Sequence, residues 1–186
     1  LIFGQNIEHM VQIKRIMDVN APEFDRLMEL YVASFPAEER RREEQLKRMM
    51  HLVPEMYVNA VYQDGELCGL LIYWDFNEFY YMEHLAVFPE MRNRQIGKQV
   101  LDYWAEYLNK LRILEVEPAE DEMATRRIGF YNRNGYQVIF KDYVQPSYYK
   151  DEDACPLWIM GNESHPEIRR FTEIIKQKVY REPLSI

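Results

Sequence analysis

Between Leu85 and Lys98 the sequence reads LAVFPEMRNRQIGK, a strand-like stretch that runs through a turn into a helix. The turn gathers three cations, Arg92, Arg94 and Lys98, with Asn93, Gln95, Ile96 and Gly97 among them. At a helix N-terminus the first backbone N–H groups have no intrahelical partner and the helix dipole presents its positive end. This spacing therefore suits an anion such as a phosphate. Gly97 has no Cβ to hold the backbone away from a ligand. The cluster stands out because the 186-residue chain carries 31 acidic against 23 basic side chains, a net charge of −8.

Two common phosphate sites are excluded by the residues present. A nucleoside-triphosphate loop needs Gly-x-x-x-x-Gly-Lys-Ser/Thr, and here Arg92 replaces the first glycine and Gln99 the hydroxyl residue. A dinucleotide fingerprint needs three closely spaced glycines, and Gly97 stands alone between Gly69 and Gly129.

The run Leu85 to Lys98 resembles the coenzyme motif of the GNAT superfamily of acyl-CoA-dependent N-acyltransferases, Gln/Arg-x-x-Gly-x-Gly/Ala. Arg92 and Gly97 match its ends, while Gln95 occupies the usual first glycine. A second segment, Phe130-Tyr131-Asn132-Arg133-Asn134-Gly135-Tyr136, is similar to the superfamily's Phe-Tyr-x-x-x-Gly-Phe. The asparagine usual seven positions before that tyrosine is replaced by Ala124. The resemblance spans about Ile13 to Met160. It implies an α/β fold of mixed α+β type, with a mostly antiparallel, splayed sheet of about six or seven strands flanked by helices.

The resemblance also implies where acetyl-CoA lies. Backbone groups of Leu85 and Val87 face the pantetheine arm, with the Ala86 side chain turned away. Pyrophosphate rests on the amides of Arg94 to Lys98, helped by the charges of Arg92 and Lys98. Acyl transfer to an amine requires a deprotonated amine, a stabilised oxyanion and a proton for the departing thiolate. Tyr131 matches the superfamily's usual general acid, although an aromatic ring at such a helix position also serves packing. Glu83 is the candidate base, because alternation along a strand sets its side chain on the face of Leu85 and Val87, with His84 opposite. Its alternative role is a salt-bridged or solvent-facing carboxylate. Glu115 and Glu117 are further candidates for the base.

The elements that must position these residues follow from periodicity. Val11 to Ile16 reads as a strand, and a helix capped by Asn20 runs to Ser34. The charged segment from Ala37 to Met50 reads as an exposed helix. Met56 to Tyr62 and Cys68 to Phe76 are strands joined by an Asp64-Gly65 hairpin, followed by a third strand, Phe79 to Val87. Apolar positions spaced near 3.6 define a helix from Ile96 to Leu111, with Tyr107 on its apolar face. A strand Ile113 to Val116, a helix Glu122 to Asn134 stopped at Gly135, and a strand Tyr136 to Phe140 come next. Lys141 to Pro156 reads as a long polar and aromatic excursion before a strand Leu157 to Met160. Tyr143, Tyr148 and Tyr149 there either line an acceptor pocket or cover the core. A helical tail occupies 166–186 and either caps the core or meets a second copy in a homodimer.

Nothing in the composition divides the chain, so one domain over 1–186 is expected. Residues 1–10 lack a basic start followed by a long apolar stretch, so they read as a leader, native or not, rather than a secretory signal. With no apolar run near the length of a membrane span, Cys68 and Cys155 as free thiols and an acidic surface, the expectation is a cytoplasmic protein without nucleic-acid or membrane partners. The four histidines are scattered, so no metal is expected. The function implied is transfer of an acetyl group from acetyl-CoA to a primary amine of a small molecule or peptide. The alternative is a non-catalytic acyl-CoA sensor or interaction module on the same fold.

Overall fold

The computed structural model describes residues 10–149 and 154–185; the expected leader, apart from Met10, lies outside them. Among the described residues seven strands form one sheet: β1 (Gln12–Arg15), β2 (Met56–Gln63), β3 (Glu66–Asp75), β4 (Phe79–Val87), β5 (Leu111–Val116), β6 (Gln137–Gln145) and β7 (Cys155–Gly161). Their spatial order is β1-β2-β3-β4-β5-β7-β6, and every neighbouring pair is antiparallel except β4 with β5. The β2–β3 turn takes positive φ at both Asp64 and Gly65, 52° and 81°. Asp-Gly suits such a turn, because its twist matches that of the strands it joins.

Helices α1 (Phe24–Ser34), α2 (Glu43–Leu52), α3 (Ile96–Tyr107), α4 (Glu122–Arg133) and α5 (Ile168–Ile175) cover the two faces. On one face α1 packs on β3 and β4, and the Phe171 ring of α5 stacks on Phe79 of β4 at 4.5 Å. On the other face Trp104 of α3 meets Tyr73 of β3, and Phe130 of α4 lies against Gly97 at the start of α3. A continuous core joins both layers, with Leu27, Tyr31, Leu71, Trp74, Trp104, Ile113 and Ile159 at or near zero exposure.

Two departures from regular pairing open the sheet where function is expected. The β4–β5 ladder runs from Phe79↔Leu111 to Met82↔Leu114 and continues no further. Beyond it β5 stays paired with β7 and β4 with β3, so the two strands part. The second departure is a bulge in β4. Ile72 pairs with His84 and Tyr73 with Met82, which leaves Glu83 as the extra residue. Above the bulge, Gly69 lets β3 lie against β4, since a Cβ there would stand 2.3 Å from the carbonyl oxygen of Ala86.

Several expected boundaries move. Asn20 does not cap α1; its amide groups bond to the Asp18 carboxylate, and the helix starts at Phe24 after a turn. The charged segment after Pro36 divides into a 3₁₀ turn (Ala37–Glu39) and α2, and Arg41 between them is buried instead of solvated. Helix α3 ends at Tyr107, which is exposed, because β5 already begins at Leu111. The excursion shortens at both ends, since β6 runs on to Gln145 and β7 begins at Cys155. The tail continues α5 through a π-helical turn (Lys176–Arg181) and a 3₁₀ turn (Glu182–Ser185).

Candidate active site

The turn between β4 and α3 borders a cleft of about 530 Å³ lined by Val87, Met91, Arg92, Asn93, Gln95 to Lys98, Phe130, Arg133 and Asn134. Its shape depends on two non-glycine residues in the left-handed region, Asn93 at φ 63° and Gln95 at φ 58°. That conformation costs a residue with a Cβ about 1–2 kcal/mol, which is the physical reason glycine is usual at the position of Gln95. The Gln95 side chain makes no cap bond with α3, so the first amides of the helix remain for a ligand.

The cations of the turn are not equivalent. Arg94 bonds Glu66 at 3.2 Å and Lys98 bonds Asp102 at 2.5 Å. Among the described residues Arg92 has no carboxylate partner, and neither has Arg133, which α4 brings to the same cleft. Arg133 escapes the sequence reading although it stands two residues after Tyr131 in the second motif. Gly97 has little freedom to change, because a Cβ would lie 3.2 Å from the Phe130 ring.

Leu85 and Val87 are half-buried on the part of β4 that β5 leaves unpaired, while Ala86 is buried beside Gly69. Val87 reaches the cleft shared by α3 and α4. Tyr131 sits on α4 next to Phe130, its ring 5.3 Å from that of Phe130 and 6.0 Å from that of Tyr136. Burial pushes its hydroxyl up to about 12 against a small opposing pull from Arg127, so it keeps its proton at neutral pH. Among the described residues the hydroxyl has no hydrogen-bond partner. Asp121 accepts from the Ala124 N–H at 2.7 Å and so caps α4.

Glu83 does not share a face with Leu85 and Val87. The bulge turns it to the side of its neighbour His84, and both reach the Tyr148 hydroxyl, Glu83 at 2.8 Å and His84 at 3.5 Å. His84 packs on Tyr31 and Phe35 of the α1 layer, whereas Val87 faces α3 and α4. The Glu83 carboxylate is fully buried and accepts from Arg41, from Tyr148 and from the Trp74 indole N–H at 2.7 Å. Burial alone would raise its pKa, but the Arg41 charge and these donors hold it below the usual carboxylate range. Burial pushes His84 down to about 4, so its imidazole is neutral.

Glu115 stands on β5 just past the last β4–β5 pair, across the opening from Glu83. Among the described residues its donors are all neutral. Tyr143 donates to one oxygen, and Gln145 and Tyr180 donate to the other at 2.8 Å and 2.7 Å. Burial raises its pKa and the tyrosine hydrogen bonds offset only part of that rise. Glu117 instead pairs with Arg127 on the surface. Two carboxylates thus flank the parted strands in opposite electrostatic settings, an arrangement that separates a fixed charge from a proton acceptor. Among the described residues no group of three or more His, Cys, Asp and Glu could hold a metal ion, and no helix is long and apolar enough to cross a membrane.

The model of the acetyltransferase (GNAT) family matches residues 24–136. No curated protein sequence matches the chain. Among solved structures, a GNAT-family protein from Bacteroides thetaiotaomicron is 34% identical, covering 91% of this chain and 98% of that one, with a TM-score of 0.86. The ribosomal-protein-S18-alanine N-acetyltransferase of Escherichia coli shares the fold at 17% identity, 82% and 92% coverage and a TM-score of 0.57. A chimera of the Vibrio cholerae spermidine N-acetyltransferase does so at 11% identity, 82% and 94% coverage and a TM-score of 0.57. The family model and the 34% identical structure, together with the parted β4 and β5 and the cationic turn, show that the chain belongs to the acetyltransferase (GNAT) family of acyl-CoA-dependent acyltransferases.

Proposed function

We propose that the protein is an N-acetyltransferase that moves an acetyl group from acetyl-CoA directly to a primary amine of a small molecule or peptide. The observation that carries this reading is the placement of a protonated, unpartnered Tyr131 hydroxyl on α4, beside the cationic cleft, with two carboxylates on the other layer flanking the parted strands. The residues fit the coenzyme. Arg92, Arg133, Lys98 and the free amides of α3 suit a diphosphate, and the unpaired edge of β4 at Leu85 and Val87 suits an extended amide-bearing arm. When bound, acetyl-CoA supplies the activated thioester.

The chain's residues then divide the proton traffic. Tyr131 holds the proton that a departing thiolate needs. Glu115, whose basicity burial raises, accepts the proton that the attacking amine loses. Glu83, committed to Arg41, Trp74 and Tyr148, acts as a fixed charge that holds the α1–α2 connection against β4. A sensor without catalysis leaves the free Tyr131 hydroxyl without a role. The test is release of free thiol from acetyl-CoA across a panel of small and peptide amines. Amine-dependent turnover supports the reading; coenzyme binding with no turnover on any amine sinks it.

A further inference from the structure

The family match ends at residue 136, yet three of the side chains that bond Glu115 come from beyond it: Tyr143 and Gln145 from β6, Tyr180 from the π-helical turn after α5. This turn is firmly seated. Arg41 donates to the carbonyl oxygen of Val179 at 2.5 Å, and Gln45 donates to that of Pro183 at 3.0 Å. The Tyr180 ring packs 5.0 Å from that of Tyr148, and Phe171 stacks on Phe79.

The hydrogen-bond inventory fixes the direction of each bond at Tyr180. Its hydroxyl oxygen lies 2.6 Å from the Gln145 side-chain nitrogen, 3.0 Å from the Tyr81 hydroxyl and 2.7 Å from Glu115 Oε2. An amide nitrogen only donates and an ionised carboxylate only accepts. With Glu115 ionised, the single phenolic proton of Tyr180 therefore points to that carboxylate, which leaves Tyr81 as the donor between the two phenols. A phenol accepting two hydrogen bonds is polarised into a stronger donor.

We infer that the C-terminal segment completes the active centre, with Tyr180 as a positioning residue that orients the Glu115 carboxylate and sets how readily it takes a proton. The inference rests on the proposed role of Glu115 as proton acceptor. The groups facing Glu115 are Tyr81 and Glu83 from β4, Tyr143 and Gln145 from β6, and Tyr180, with Arg41 and Tyr148 behind Glu83. Tyr180 stabilises the charged form, so loss of its hydroxyl raises the Glu115 pKa, and the acid limb of turnover moves to higher pH.

Tyr180→Phe keeps the ring and removes the bond. Two readouts are taken on the full chain: carboxyl ¹³C NMR titration of Glu115, assigned with Glu115→Gln, and kcat against pH with the best amine. The expected result is an upward shift of about one pH unit in both, the size of one hydrogen bond to a charged group. Tyr143→Phe, which loses the donor to the other oxygen, shifts both in the same direction and serves if Tyr180→Phe does not fold. An unmoved Glu115 titration overturns the inference and leaves the acetyltransferase reading standing. A moved titration with an unmoved kcat limb also overturns it, since Tyr180 is then structural only. A wild-type chain with no amine-dependent turnover removes the inference together with the reading beneath it.

Discussion

Arg41 and Glu83 form an ion pair sealed from solvent, with the two side chains 1% and 0% exposed. The pair joins the α1–α2 connection to the bulge of β4, and the same guanidinium reaches the Val179 carbonyl of the C-terminal segment. Three distant stretches of chain are thus held around one charge. Removing one partner of such a pair strands the other in a low-dielectric interior. Arg41→Met is expected to lower the unfolding free energy by about 3–5 kcal/mol, and Arg41→Met with Glu83→Gln to restore much of that loss. Urea unfolding of the single and double variants checks this, and additive losses contradict it.

His84 gives the protein an acid sensitivity. Its folded pKa is about 4 against an ordinary 6.5, so between these values the unfolded chain binds a proton that the folded chain refuses. Stability contributed by neutral His84 is complete above pH 6.5 and is lost as the pH falls toward 4, up to about 3 kcal/mol. Glu115, with a raised pKa, works in the opposite sense, so the comparison to make is wild type against His84→Gln. The variant should show a flatter fall in melting temperature across that window. Parallel curves would rule out His84 as the source.

Gln95 holds a conformation that favours glycine. Gln95→Gly is expected to stabilise the fold by about 0.5–1 kcal/mol, the left-handed strain relieved less the backbone entropy that glycine adds. Gln95→Ala keeps the strain and should show no such gain. Chemical denaturation of the two variants separates these cases.

Among the described residues Arg92 and Arg133 have no carboxylate partners, whereas Lys98 and Arg94 are paired. Replacing either of the first two with alanine should weaken coenzyme A binding about tenfold, the value of one charge-assisted contact. Lys98→Ala should cost less, because Asp102 already shares its charge. Calorimetric titration with coenzyme A at fixed salt gives the ranking directly.

What the sequence makes legible here is what lies close together along the chain. The turn from Arg92 to Lys98 is readable because consecutive residues build it, and Asp64-Gly65 marks its hairpin for the same reason. Arg41 is not readable. Within ERRREEQ it matches a solvated charge run, and its burial depends on partners 42 and 138 positions away. The bulge at Glu83 is equally hidden, since a strict two-residue alternation carries no mark of an inserted residue, and it reverses the side on which Glu83 emerges. Arg133 and the donors around Glu115 come together only through packing of α4, β6 and the tail on the sheet. The long excursion after Phe140 is misread because β6 is an edge strand with an irregular register to β7, so its side chains show no clean alternation.

The central claim is that acyl transfer occurs where β4 and β5 part, with Tyr131 as the proton donor. Its most direct test is Tyr131→Phe measured beside the wild type, with amine-dependent thiol release for turnover and calorimetry for coenzyme affinity. The expected result is that kcat falls about a hundredfold or more while affinity for acetyl-CoA stays within a factor of about two, because only proton donation is lost. Turnover equal to that of the wild type would contradict it.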